Sequence, residues 1–224
     1  MEKLLLKNPL FDFDENFKKT TTTPLGLEIQ SYTHVLGTDE AGRGPCAGGV
    51  WAACVCFLKN DAQNELLKLN DSKKLNEKTR GELFNIIRAN CIYSIKSVDV
   101  ETIEKINILN SSLLAMKLAL TEVLEKISPQ SPILLVDGNK TIKDLKIFQK
   151  AVIKGDSKSA SIAAASILAK VERDNFMKKI SLEYPSYNWA KNKGYLTKEH
   201  IEAIKTFGVT KYHRKSFLKN VLSI

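Results

Sequence analysis

Four carboxylates in this sequence, Asp39, Glu40, Asp137 and Asp156, stand where apolar runs give way to glycine or other small residues. Asp39 and Glu40 follow Leu36-Gly37-Thr38 and lead into Ala41-Gly42-Arg43-Gly44-Pro45. Asp137 ends the run Ile133-Leu134-Leu135-Val136 before Gly138, and Asp156 follows Gly155 just ahead of an alanine-rich stretch. If those element ends converge, the acids make an all-oxygen donor set, with no comparably placed His or Cys to soften it. Such a set selects Mg²⁺ or Mn²⁺ over Zn²⁺. Two such ions about 3.5–4 Å apart support in-line phosphodiester hydrolysis, one activating water and the other stabilising the leaving oxygen. The loop after Glu40 suits a phosphate backbone, because Gly42 and Gly44 let backbone N–H groups approach a ligand and Arg43 adds a charged donor. One geometric condition attaches. Successive strand residues point to opposite faces, so Asp39 and Glu40 share a site only where the strand ends or bulges. Taken singly, Asp137 reads more readily as the start of a turn and Asp156 as a helix cap; four acids together reverse that preference.

Other candidates have plainer readings beside the functional one. Ser72 and Lys73, within Asp71-Ser72-Lys73-Lys74-Leu75, read by themselves as an exposed loop. Tyr195 closes the basic loop Lys191-Asn192-Lys193-Gly194-Tyr195, where a ring among lysines suits nucleic acid; the alternative is a tyrosine anchoring the loop on the core. His213 is as readily a packed or capping histidine as a ligand, and Arg214 and Lys215 read as solvated.

The elements that must position these groups follow from periodicity. His34 to Thr38 reads as a short strand, and Gly49 to Phe57 is nearly continuously apolar, as a strand buried on both faces would be. Ile92 to Val98 alternates as a half-exposed strand; Ile133 to Val136 and a segment around Ala151-Val152-Ile153 complete the set. Helices are predicted from an N-cap at Asn76, after Asp99, over Ile108 to Ile127, over Ser161 to Ile180, and from Thr197 to a stop at Gly208. Strands alternating with helices imply an α/β sheet domain whose loops gather distant residues at one sheet edge. Residues 1 to 33, with the polar run Thr20 to Thr23 before Pro24, lack sustained periodicity and read as an N-terminal arm.

Composition sets the class of partner. The chain has 224 residues, 43% hydrophobic and 26% charged, which excludes a mainly disordered protein. A net charge of +9 suits a polyanion such as nucleic acid, although an anionic membrane surface or plain solubility also accounts for charge alone. Cys46, Cys54, Cys56 and Cys91 lack paired metal-site spacing and read as reduced thiols. The run Leu4-Leu5-Leu6 is too short for a signal-peptide core, so a cytoplasmic protein with no membrane partner is expected.

The segments GTDEAGRGPCAG, DSKKL, LLVDGN, VIKGDSKSASIAAASILAKVERD, YPSY, NKGYLTKEH and HRKSF, in this order, resemble bacterial ribonuclease HII, a type 2 ribonuclease H. The resemblance runs from about Val35 to Phe217. It implies a ribonuclease H-like mixed sheet flanked by helices, with a helical C-terminal portion, making residues 34–224 the catalytic domain. It implies an endoribonuclease, expected as a monomer, that cuts the RNA strand of RNA–DNA hybrids and nicks 5′ to ribonucleotides embedded in duplex DNA. It places two Mg²⁺ or Mn²⁺ ions on Asp39, Glu40, Asp137 and Asp156, 2′-OH reading on Gly42, Arg43 and Gly44, phosphate contacts on Ser72 and Lys73, and sugar packing on Tyr195. Asn192 and Leu196 stand where the family pattern has histidine and glycine. Two alternatives are a ribonuclease HIII-type enzyme, for which the arm is short, and a non-catalytic hybrid binder, which need not retain all four acids.

Overall fold

The computed structural model describes residues 8–19, 21–22, 28–29, 31–57 and 66–222. The run Leu4–Leu6 and, of the polar stretch, Thr20, Thr23 and Pro24 lie outside the described residues.

Strand β4 (Val50–Cys56) explains the layering. Its Ala53 and Val55 face a cluster with the alanines of helix α4 (Ala160–Glu183), whereas Ala52, Cys54 and Cys56 face helix α3 (Val100–Ile127). Period-two alternation thus puts apolar side chains on both sheet faces, as the continuous apolar run required. Strand β3 (His34–Ala41) pairs antiparallel with β4, which pairs antiparallel with β5 (Ile92–Val98). On its other edge β3 pairs in parallel with β6 (Pro132–Asp137), which pairs in parallel with β7 (Phe148–Val152). The order β5-β4-β3-β6-β7 is the expected mixed sheet. A separate ribbon joins β1 (Thr21–Thr22) to β2 (Glu28–Ile29).

Helix starts follow their caps. Asn76 Oδ1 accepts from Thr79 N–H at the head of α2 (Glu77–Asn90), and Asp99 Oδ1 accepts from Thr102 N–H at the head of α3. The two helices expected between Asp99 and Ile127 are one run broken at Asn107, whose φ is 66° and whose Oδ1 accepts from Asn110 N–H to restart the helix. Close packing of α4 on β3 depends on Gly37, where a Cβ would stand 2.3 Å from Ile162 N. The C-terminal portion is helical: α5 (Trp189–Asn192), α6 (Lys198–Phe207) and α7 (Lys219–Leu222), with Tyr187, Trp189, Ile204 and Leu218 in its own core.

Within residues 1–33, Pro9–Glu15 folds as α1, capped by Asn8, and sends Leu10 and Phe11 into the α4-side core. Asp14 is buried there, accepting from Ser159 Oγ–H at 2.6 Å and from Ser161 N–H at 2.8 Å at the start of α4. That part of the segment is packed structure, not a loose arm.

Candidate active site

Topology brings the first two acids together. The β3–β6 ladder ends at the pair Thr38 and Val136, so Asp39 and Asp137 are the next residue on each strand, and the charge of Asp137 is felt at Asp39. On its other edge β3 does not end: Asp39 and Glu40 stay in register with Ala53 and Ala52, without a bulge. The strand therefore neither ends nor bulges at these two acids, contrary to the condition set by alternation, and yet both line one cleft. Asp39 is 5% exposed, and its Oδ1 accepts from Glu40 N–H at 2.7 Å. Glu40 lines the same cleft, held by Arg43 Nη1 at 3.2 Å.

The other acids come from the turn before α4. Lys154, at φ 55°, swings the chain so that Gly155 N–H donates to Asp137 Oδ1 at 2.7 Å. Gly155 lets the turn pack closely, since a Cβ there would meet Ile162 Cδ1 at 2.5 Å and Asp137 Oδ1 at 3.1 Å. Asp156 follows in the 3₁₀ turn Gly155–Ser157.

Burial raises the Asp39 carboxyl well above its ordinary pKa, and the neighbouring charges of Glu40 and Asp137 add to the shift. Burial also raises Glu40, against the pull of Arg43, and raises Asp156, whose next largest perturbers are Asp71 and Asp137. Asp71 is a fifth acid that the sequence reading passed over, because no apolar run precedes it. Among the described residues, no three acid, imidazole or thiol groups converge tightly enough to enclose a metal ion. The acids are still near enough to raise one another's proton affinity, Asp137 acting on Asp39, Glu40 and Asp156. The donor chemistry fits Mg²⁺ or Mn²⁺ all the same: only carboxylates are present, and a divalent cation relieves like charges held together in a buried site.

The cleft, about 330 Å³, is walled by the Gly42-Arg43-Gly44 loop, by Ser72 and Lys73, and by Tyr195. Its remaining wall is a face of α4, where Ser166, Lys170 and Arg173 recur at spacings of four and three. That spacing was visible in the sequence and was not used. Ser72 is 3% exposed and its hydroxyl pairs with Ser166 Oγ at 2.9 Å, so it is committed to the fold, whereas Lys73 is exposed. Tyr195 is half exposed, its ring edge beside Gly44, where a Cβ would lie 3.4 Å away.

Two buried arginines hold these walls. Arg173 donates to Ala47 O and Lys193 O and packs so closely on Gly42 that a Cβ there would stand 2.2 Å from its Nε. Arg214, read from sequence as solvated, is 0% exposed; it donates to the carbonyls of Gly42, Arg43, Gly48 and Gly49. Lys215 is exposed, as expected. In the Tyr195 loop, Asn192 accepts from Gly194 N–H and donates to Tyr187 O, and the positive φ values fall at Lys193 and Gly194. Leu196 therefore faces no backbone conflict. All four cysteines are free thiols. A larger hollow of about 520 Å³ along β5 lies away from the acids, and its Lys96 and Lys126 are spent on Glu122.

Residues 36–220 match the family profile described as ribonuclease HII. The chain belongs to the ribonuclease HII family. Its relatives include ribonuclease HII of Caldicellulosiruptor saccharolyticus, 48% identical over 98% of this chain and 99% of that one. Ribonuclease HII of Caldanaerobacter subterraneus is 51% identical over 88% of this chain and 78% of its own length. A solved archaeal complex of PCNA with ribonuclease HII from Archaeoglobus fulgidus superposes with a TM-score of 0.66 at 26% identity, covering 81% of this chain and 93% of that chain. The ribonuclease H2 of Pyrococcus horikoshii shares the fold, at 24% identity and a TM-score of 0.69, over 85% of this chain and 98% of its own. As a ribonuclease HII, the protein is a metal-dependent endoribonuclease of the ribonuclease H class. Among the described residues no helix is long and apolar enough to cross a membrane.

Proposed function

We propose that this ribonuclease HII cuts the RNA strand of RNA–DNA hybrids and nicks duplex DNA 5′ to an embedded ribonucleotide, with Asp39, Glu40, Asp137 and Asp156 holding two Mg²⁺ or Mn²⁺ ions. The observation that carries the reading is that Asp39 and Glu40 line one cleft with the Gly42-Arg43-Gly44 loop, with Asp137 close enough to Asp39 to raise its proton affinity. Bound there, the ions would supply an activated water and charge stabilisation for the leaving oxygen.

The rest of the chemistry falls to the chain itself. Arg214 holds the Gly42 and Arg43 carbonyls from behind. In a trans peptide the N–H points opposite to the carbonyl, so the N–H groups of Arg43 and Gly44 are aimed away from Arg214. Two fixed backbone donors suit a ribose 2′-OH, the group that separates RNA from DNA. Tyr195 packs against the adjacent sugar, and exposed Lys73 and Arg43 meet phosphates. Four unpaired thiols suit the reducing cytoplasm.

The test compares a duplex carrying one ribonucleotide with one carrying a continuous RNA strand, each with Mg²⁺, Mn²⁺ or chelator. Cutting of both with metal, and neither with chelator, is expected. Cleavage in chelator would sink the metal assignment, and duplex that binds uncut under every condition would return the non-catalytic binder.

A further inference from the structure

Behind the cleft lies a hydrogen-bonded chain that admits one proton arrangement. Thr210 N–H donates to His213 Nδ1 at 2.9 Å, so that nitrogen carries no proton and the ring is the Nε2–H form. His213 Nε2 lies 3.1 Å from His200 Nε2, and the Trp189 indole, which can only donate, reaches the same His200 nitrogen at 3.0 Å. His200 Nε2 therefore accepts, its single lone pair shared between the Trp189 and His213 donors; its proton sits on Nδ1, and Nδ1–H donates to the Tyr195 carbonyl at 2.9 Å. Donor-only groups on one side and an acceptor-only carbonyl on the other agree on the same two neutral tautomers. Both rings are buried, and His213 packs against the stacked pair Tyr187 and Trp189.

We infer that His213 is a positioning residue for cleavage: through His200 it fixes the Tyr195 carbonyl, and with it the ring that stands beside Gly44 at the cleft. The next residue, Arg214, fixes the opposite wall through Gly42 and Arg43. Consecutive side chains of one tail segment thus set both sides of the gap. The inference rests on the reading of Tyr195 as the ring that packs on the substrate sugar.

His213→Phe keeps aromatic volume against Tyr187 and Trp189 but can neither accept from Thr210 nor donate to His200; His213→Gln can do both. On the single-ribonucleotide duplex at saturating metal, His213→Phe is expected to lower kcat about tenfold with KM little changed, because a displaced contact costs reactive geometry more than binding. His213→Gln should restore most of that loss. In a Tyr195→Ala background His213→Phe should add nothing, since it acts through that residue. Wild-type kcat in a folded His213→Phe, or a loss that persists undiminished beside Tyr195→Ala, overturns the inference. Wild-type cleavage by Tyr195→Ala alone marks a different failure, that of the Tyr195 reading, and removes the inference with it. Should His213→Phe not fold, histidine ¹⁵N spectra of the wild-type protein decide: His213 protonated at Nε2 and His200 at Nδ1 are expected, and the opposite tautomer in either ring overturns the relay.

Discussion

Arg214 Nη2 donates to the Gly42 carbonyl at 2.7 Å across 172 positions of sequence. That bond, with three more to Arg43, Gly48 and Gly49, makes a buried cation the internal support of the loop after β3. Burial, and then the charge of Arg173, lower the guanidinium pKa to about 9.

Arg214→Lys is the informative change, because an ammonium has three donors on a flexible stem and cannot reproduce a planar fork reaching four carbonyls. Leaving buried carbonyls unpaired costs about 1–3 kcal/mol each, so a clear drop in melting temperature is expected. Selectivity for the ribonucleotide strand should weaken as well, since the Arg43 and Gly44 amides lose their aim. Unchanged melting and unchanged selectivity would mean that the loop supports itself.

Asp39→Asn and Asp137→Asn are expected to reduce cleavage to background while duplex binding persists or tightens. Because burial and the charges of Glu40 and Asp137 disfavour the Asp39 carboxylate, Asp39→Asn should also raise the melting temperature in chelator. Thermal melts with and without Mg²⁺, alongside single-turnover cleavage, check both parts. Wild-type rates at saturating metal in either variant would remove these acids from the site.

Lys73→Ala tests the phosphate contact. The side chain is exposed, and its charge pulls down the proton affinity of Glu40 and Asp156. The log–log salt slope of duplex affinity should become shallower by about one, with ribonucleotide selectivity unchanged. An unaltered slope would place Lys73 off the backbone.

What the sequence disclosed and what it hid divide along physical lines. Asp39 and Asp137 were legible because each ends an apolar run, and the sheet turned those run ends into neighbours. Asn76, Asp99, Thr197 and Gly208 were legible because capping is local. Arg214 was not, since arginine is usually solvated and the carbonyls that make its burial tolerable come from residues far upstream. Helix α1 escaped notice for a related reason: its 7 residues span too few turns for a periodic signal, and Asp14 finds hydrogen-bond partners far along the chain, at Ser159 and Ser161.

Asp14 carries a pH signature. Burial lifts its carboxyl pKa from 3.8 to about 6, with the Ser159 and Ser161 bonds pulling the other way. A raised folded-state value means that the native protein binds this proton more tightly, so the contribution is complete below 3.8 and is lost as pH rises through about 6. Relative to Asp14→Asn, the wild type should therefore lose stability between those limits as pH rises. Denaturant midpoints of both proteins from pH 4 to pH 7 provide the comparison, and parallel profiles would show an unperturbed carboxyl.

Strands β3 and β6 are joined in parallel although β4, α2, β5 and α3 all intervene in the chain. Closing so long a loop costs chain entropy before any ladder bond forms, which makes this pairing a late event in folding. A molecule caught beforehand holds every acid and no active site. On refolding, helical signal should return first and cleavage only afterwards.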